Sequence, residues 1–121
     1  MKILVVDDDK LILTLLSIKL KLKGYEVVTA NDGMSALDIL QDHNVDLIIS
    51  DVMMPGLSGL SLLSVLREFN FNKIPLIFIS SFDQPNLILK SFGLGADGFI
   101  VKPINFDHLF SKIEHILNAN Q

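Results

Sequence analysis

Five short apolar runs constrain this chain more than any other feature. They are Lys2–Val6 (KILVV), Glu26–Ala30 (EVVTA), Asp46–Ser50 (DLIIS), Pro75–Ser80 (PLIFIS) and Gly98–Val101 (GFIV). Each is long enough for a strand and too short for a helix. Several are apolar on nearly every residue, as expected of strands covered on both faces of a parallel sheet. Pro75 stands at the start of its run, where a strand tolerates proline.

Helical patterns fill the intervals. Leu11, Leu15, Ile18 and Leu22 recur at helical spacing, and Gly24 closes that segment. Asp32 can cap a helix carrying Ala36, Leu37 and Leu40. Gly59–Phe69 follows, with Leu60, Leu63 and Leu66 facing inward. Asp83 and Pro85 suit the cap and first turn of a fourth helix. Phe106, Leu109, Phe110, Ile113, Ile116 and Leu117 form the apolar stripe of a last one. Alternating strands and helices with right-handed crossovers give a three-layer α/β domain. Ligands of such sheets bind outside the carboxyl ends of the strands, where strand order reverses.

The totals narrow the function classes. At 121 residues the chain is one domain of ordinary size, residues 1–121. Half of it is hydrophobic, but no stretch approaches the roughly 18 apolar residues of a membrane helix. Met1-Lys2 leads straight into the first strand, which leaves no room for a signal peptide and points to the cytoplasm. Cysteine is absent, which removes disulfides, thiolate zinc sites and cysteine nucleophiles. A net charge of −4 argues against direct binding of nucleic acid. Lys19, Lys21 and Lys23 form the only basic cluster, and they suit the C-terminal dipole of a helix ending at Gly24.

The strand ends carry the chemistry. The first run ends in three consecutive acids, Asp7, Asp8 and Asp9. Two like charges about 4 Å apart repel by roughly 4 kcal/mol at an effective dielectric near 20. A bound cation would offset that cost. Asp51 ends the third run, Ser80 the fourth and Lys102 the fifth, so a parallel sheet brings all of them to one edge. Carboxylates without His or Cys suit Mg²⁺. A carboxylate nucleophile, a metal, a lysine and a hydroxyl together describe phosphoryl transfer. Asp9 sits where the first helix begins and reads as its N-cap.

VVDDD, ISDVMMPGLSG, FISS, GADGF and VKPI occur in that order from about Lys2 to Leu117. In this the chain resembles the receiver domain of two-component response regulators, of the chemotaxis-regulator type. The resemblance implies a flavodoxin-like (βα)5 fold with a five-stranded parallel sheet of order 2-1-3-4-5. It implies that Asp51 accepts a phosphoryl group from a phosphohistidine on a histidine kinase or phosphotransfer protein. Asp8 and the Met53 carbonyl would ligate Mg²⁺ with Asp51, and Asp7 would hold it through water. Lys102 would pair with Asp51 and then with the phosphate. Ser80 would bond the phosphoryl group and shift toward it. Phe99 would be the rotating switch aromatic. Pro55 and Gly59 belong to the loop after the acceptor, and Pro103 to the cis-proline position. The output face would comprise the fourth helix, fifth strand and fifth helix, with Ile88 and Phe99 on it. It would address a downstream protein or fused output domain.

Some residues depart from the family pattern. Ser58 stands where an Asp often precedes the loop glycine, and Ser81 where Ala or Gly is usual. Phe99 lacks a tyrosine hydroxyl. Met53 and Phe82 occupy the two positions that gate water in the family, and both are apolar, which implies slow hydrolysis. Met53 and Met54 are expected to pack under the loop. The chain ends two to four residues after the last helix, so no output domain is expected in it, and the molecule would be a monomer or weak dimer.

Two rival functions remain open at this level. Asp7 and Asp9 form the D-x-D of an aspartyl-phosphate phosphohydrolase of the haloacid-dehalogenase type. That motif continues to Thr, where this chain has Leu11, and no cap domain is evident. A phosphorylation-independent interaction module of the same shape is the other. GLGADG, residues 93–98, fits G-x-G-x-x-G but follows a helix and precedes a strand, the reverse of a dinucleotide site. His43, His108 and His115 are scattered without metal-binding spacing and read as solvated.

Overall fold

The computed structural model describes residues 1–69, 71 and 73–119. Five strands alternate with five helices. They are β1 (Lys2–Val6), α1 (Lys10–Leu22), β2 (Glu26–Ala30), α2 (Gly33–Asp42), β3 (Leu47–Asp51), α3 (Gly59–Glu68), β4 (Leu76–Ser80), α4 (Pro85–Gly93), β5 (Gly98–Val101) and α5 (Phe106–Ala119). The strands form one parallel sheet in the order β2-β1-β3-β4-β5. The fold is therefore the flavodoxin-like three-layer α/β sandwich. Strand order reverses between β1 and β3, so the residues that follow those two strands flank the switch point.

Strand residues alternate between two cores because successive side chains point to opposite faces. Leu4, Val6, Ile48 and Phe78 join Ala36 and Leu40 of α2 and Leu62, Leu63 and Leu66 of α3. Ile3, Val5, Ile49 and Ile77 join Leu16 and Leu20 of α1 and Leu109, Ile113, Ile116 and Leu117 of α5. Central strands β1, β3 and β4 are buried on both faces, which explains their unbroken apolar runs. Among the described residues, no helix is long and apolar enough to cross a membrane.

Helix ends follow local chemistry. Asp9 caps α1 by accepting from the Leu11 amide, and Asp32 caps α2 by accepting from Ser35. Gly24 and Gly95 follow the C-caps of α1 and α4 at φ 94° and 107°, where a side chain would be strained. The cap of α4 differs from expectation. Gln84, not Asp83, is its N-cap, and it makes no side-chain cap bond. Pro85 takes the first helical position, where its missing N–H costs nothing, and this sets the boundary one residue later.

The α1 stripe also differs from a simple inward face. Leu16 and Leu20 are the buried residues of α1. Leu11, Leu15, Ile18 and Leu22 form a second aliphatic line that faces solvent, with Leu11 and Leu22 at 74% and 79% exposure. Lysines border it. Lys19 lies 5.4 Å from the centroid of Phe106, and Lys23 lies 5.1 Å from that of Phe110. These lysines thus tie α1 to α5 by cation–π contact, each worth about 0.5–1 kcal/mol at an exposed site, besides lying near the end of the helix.

At the amino edge of the sheet, Arg67 of α3 gathers several acceptors. Its guanidinium donates to the carbonyls of Ile74 (2.8 Å) and Gly95 (3.0 and 3.3 Å) and to the Asp97 carboxylate (3.3 Å). Asp97 in turn accepts from the Leu76 amide at 2.9 Å. Burial lowers the Arg67 pKa, with the charge of Asp97 acting the other way.

Candidate functional site

Asp7 and Asp8 directly follow β1, Asp51 ends β3, Ser80 ends β4, and Lys102 directly follows β5. Parallel pairing brings these positions to the carboxyl edge. The Lys102 amide donates to the Ser80 carbonyl at 2.7 Å, extending the β4–β5 ladder by one residue.

Carboxylate oxygens of Asp7, Asp8 and Asp51 all lie within 4.8 Å of one another. Asp7 is fully buried, Asp51 is 8% exposed, and Asp8 is exposed. Lys102 Nζ reaches Asp7 Oδ2 at 3.1 Å and Asp51 Oδ2 at 3.3 Å. The other Asp7 oxygen accepts from the Asp9 amide at 2.9 Å, and Asp51 Oδ1 accepts from the Met53 amide at 3.4 Å. The two buried acids therefore share one ammonium, while the third opens to solvent.

The pKa values follow this arrangement. Burial pushes Asp7 up from the usual carboxylate value, against the opposing bonds from Asp9 and Lys102. Burial pulls Lys102 down, but its bonds and charges with Asp7 and Asp51 outweigh that effect and hold the ammonium above its usual value. At neutral pH Lys102 is a fixed cation.

The surrounding loop is shaped by close approach. Residues 52–58 leave β3 and return to α3, and the Gly59 amide closes them by donating to the Val52 carbonyl at 2.8 Å. A Cβ on Gly59 would overlap the Asp51 carbonyl oxygen and stand 2.9 Å from the Phe78 ring and from Val52 Cα. Gly56 turns the loop at φ 73°, and Ser58 caps α3 through the Ser61 amide. Pro55 lies exposed on this loop. Met54 is buried beneath it, but Met53 is 56% exposed, a correction to the expectation that both pack under it. The core there is already filled by Met54, Leu57 and Val52.

The remaining positions are as follows. Ser80 is buried, and its Oγ accepts from the Phe82 amide at 2.9 Å. Phe99 packs partly buried with its ring edge toward Phe78, centroids 6.5 Å apart. The Lys102–Pro103 peptide is cis. Asp9, the second acid of the D-x-D pattern, is engaged as the α1 cap. His43 approaches Lys2 Nζ at 3.3 Å, and His108 and His115 are exposed. The Lys102–Asp7 pair is the contact that sequence reasoning missed. Ninety-five positions separate the two residues, and no local pattern links them.

Fold and site together define a flavodoxin-like domain with an acidic, lysine-bridged pocket at its switch point. A family model for the response regulator receiver domain matches residues 3–114. The chain belongs to that family, whose members act in two-component signal transduction. It is 38% identical to the transcriptional regulatory protein CpxR of Escherichia coli, over 98% of this chain and 50% of CpxR. It is also 38% identical to the CAI-1 autoinducer sensor kinase/phosphatase CqsS of Vibrio cholerae, over 93% of this chain and 17% of CqsS. The receiver domain of the Francisella response regulator 1452 superposes with a TM-score of 0.93 at 34% identity, covering 99% of this chain and 98% of that one. The chain thus spans half or less of the length of these two curated relatives.

Proposed function

We propose that this domain accepts a phosphoryl group on Asp51 from a phosphohistidine of a histidine kinase or phosphotransfer protein, and that the modification changes its output face. The observation that carries the reading is the shared ammonium of Lys102 between Asp7 and Asp51, with Asp8 close by. An Asp51 carboxylate oxygen forms the new bond to phosphorus as the bond from phosphorus to the donor imidazole nitrogen breaks, and the imidazole takes up a proton as it leaves. Lys102 neutralises charge on the phosphoryl oxygens, and the Ser80 hydroxyl donates to one of them. The acceptor then sits as an aspartyl phosphate, and Ser80 and Phe99 settle into the arrangement the phosphate favours.

Oxygen donors without nitrogen or sulfur fit Mg²⁺. Asp8, Asp51 and the Met53 carbonyl would hold it directly and Asp7 through water. The metal would supply charge neutralisation between the acceptor and the incoming phosphoryl group. Asp7 suits the indirect role because it is the fully buried member of the three, whereas Asp8 is exposed and Asp51 retains some exposure.

The partner would approach over α1. The exposed line of Leu11, Leu15, Ile18 and Leu22 starts two residues after Asp9, beside the pocket, and its lysine borders favour an acidic counterpart. The 121 residues act as one receiver domain in the cytoplasm, as monomer or weak dimer, and pass the signal to a separate protein or fused output domain. The domain catalyses its own phosphorylation and slow dephosphorylation and turns over no external metabolite.

Intact mass after incubation with acetyl phosphate and Mg²⁺ tests this. Wild type should gain one phosphoryl group, whereas Asp51→Asn and an EDTA-treated sample should not. If no adduct forms and the phosphate mimic beryllofluoride does not bind either, the reading fails. Sustained release of phosphate from small esters would instead favour a phosphohydrolase.

A further inference from the structure

Gly33 opens α2 and is buried. Its backbone is not in the left-handed region, so conformation does not demand glycine there. Glycine early in a helix also forgoes the stability that alanine would bring. What glycine supplies at this position is room. A Cβ on Gly33 would stand 2.9 Å from the Cβ, the Cδ2 and the carbonyl oxygen of Leu57. One of those atoms is backbone, so rotation of the leucine alone would not clear the space.

Leu57 belongs to the loop that leaves Asp51 and carries Met53. That loop is closed at its base by Gly59 and Val52. Just before that closure, Leu57 meets the first turn of α2 at Gly33. Because β2 and β3 lie on either side of β1, this contact joins the two loops that flank the end of the strand bearing Asp7 and Asp8. Asp32, next to Gly33, is itself held by its bonds to Ser35, which also keep its carboxyl below the usual value. The brace therefore rests on a capped helix end.

We infer that Gly33 is a positioning residue: its missing side chain lets Leu57 seat against α2, and this seat fixes the 52–58 loop and with it Met53, whose amide donates to Asp51 at 3.4 Å and whose carbonyl would ligate the metal. The inference rests on the Mg²⁺ reading above. A side chain at Gly33 would push the loop outward and loosen the pocket without touching any of the acids. Shortening Leu57 would loosen the same brace from the other side.

The test is a Mg²⁺ titration followed by amide chemical shifts, on wild type, Gly33→Ala, Leu57→Ala and the double variant. Gly33→Ala should raise the Mg²⁺ dissociation constant about tenfold, the low end of what loss of a supporting contact costs a metal site. Amide shifts of residues 53–58 should move in the metal-free protein as well. Leu57→Ala should weaken binding too, and the double variant should show less than the summed effect, because both changes act on one contact. A merely structural role would lower the melting temperature and leave the dissociation constant at the wild-type value, and that result would overturn the inference. If Gly33→Ala does not fold, unchanged Mg²⁺ binding by Leu57→Ala overturns it alone. Absence of Mg²⁺ binding by wild type would bring down the metal reading itself.

Discussion

Replacing Asp51 by Asn should make the metal-free domain more stable. Carboxylates no more than 4.8 Å apart repel by about 3.5 kcal/mol per pair at an effective dielectric near 20. The substitution removes two such repulsions, against Asp7 and Asp8. It gives up one attraction, to Lys102 at 3.3 Å, of about 5 kcal/mol on the same scale. Screening of the exposed Asp8 reduces the first figure. The amide oxygen of Asn still accepts from Lys102, which reduces the second. The balance favours the variant by about 1–2 kcal/mol, or about 3–8 °C in melting temperature for a domain of this size. Calorimetry in EDTA and then in excess Mg²⁺ would measure it. With Mg²⁺ the order should narrow or reverse, because a ligand that binds only the folded state adds about 2.7 kcal/mol at one hundred times its dissociation constant, and the wild-type site binds it better. An Asn variant that melts at or below wild type in EDTA would show that Lys102 already neutralises the cluster, and the argument that these acids call for a cation would fail.

Three further expectations rest on other parts of the molecule. Gly59→Ala should cost about 3 kcal/mol or more in urea unfolding, because the added methyl overlaps backbone at Asp51, and a loss below about 1 kcal/mol would contradict the packing described. Asp7→Asn should stabilise the metal-free fold at neutral pH. The raised pKa of Asp7 means that its contribution favours folding below the ordinary carboxylate value of 3.8 and is lost as pH rises through the raised value. The advantage of the variant should therefore fade as pH falls toward 3.8, and a constant difference across the titration would refute burial as the cause. On α1, Leu20→Ala should cost about 2–5 kcal/mol and Leu15→Ala little more than about 0.5 kcal/mol, whereas phosphotransfer from a partner should respond in the opposite order.

If Asp51 carries a phosphoryl group as proposed, its lifetime should depend on Met53 and Phe82, the two positions that gate water in the family. Met53 and Phe82 are 56% and 46% exposed, and both are large and apolar. Phospho-Asp51 should persist for minutes or longer, and Met53→Asn should shorten it by admitting water. Decay of the wild-type adduct within seconds would count against that role.

Strands were legible because burial on both faces leaves a run such as LIIS with no polar alternative. The acids were legible because three adjacent carboxylates have few structural reasons to exist. Helix α1 shows the limit of periodicity. Leu11, Leu15, Ile18 and Leu22 obey the helical period as well as Leu16 and Leu20 do, and the docking of α1 on the sheet and α5 decides which line turns inward. The α4 cap slipped by one because Asp83 is the better capping residue, yet Pro85 dictates where the first helical turn can start. Contacts such as Lys102 with Asp7, or Gly33 with Leu57, join residues distant in the chain and leave no local trace.

The Arg67 cluster divides the molecule mechanically. Through Gly95 it moors the trailing end of α4 to α3, at the edge of the sheet away from the acids. The leading end of α4 has no side-chain cap and is tied to β4 through the short turn in which Phe82 donates to Ser80. A rod fixed at one end and tethered loosely at the other behaves as a lever. If Ser80 shifts on phosphorylation as proposed, the displacement should therefore be felt at the first turn of α4 rather than at its moored end.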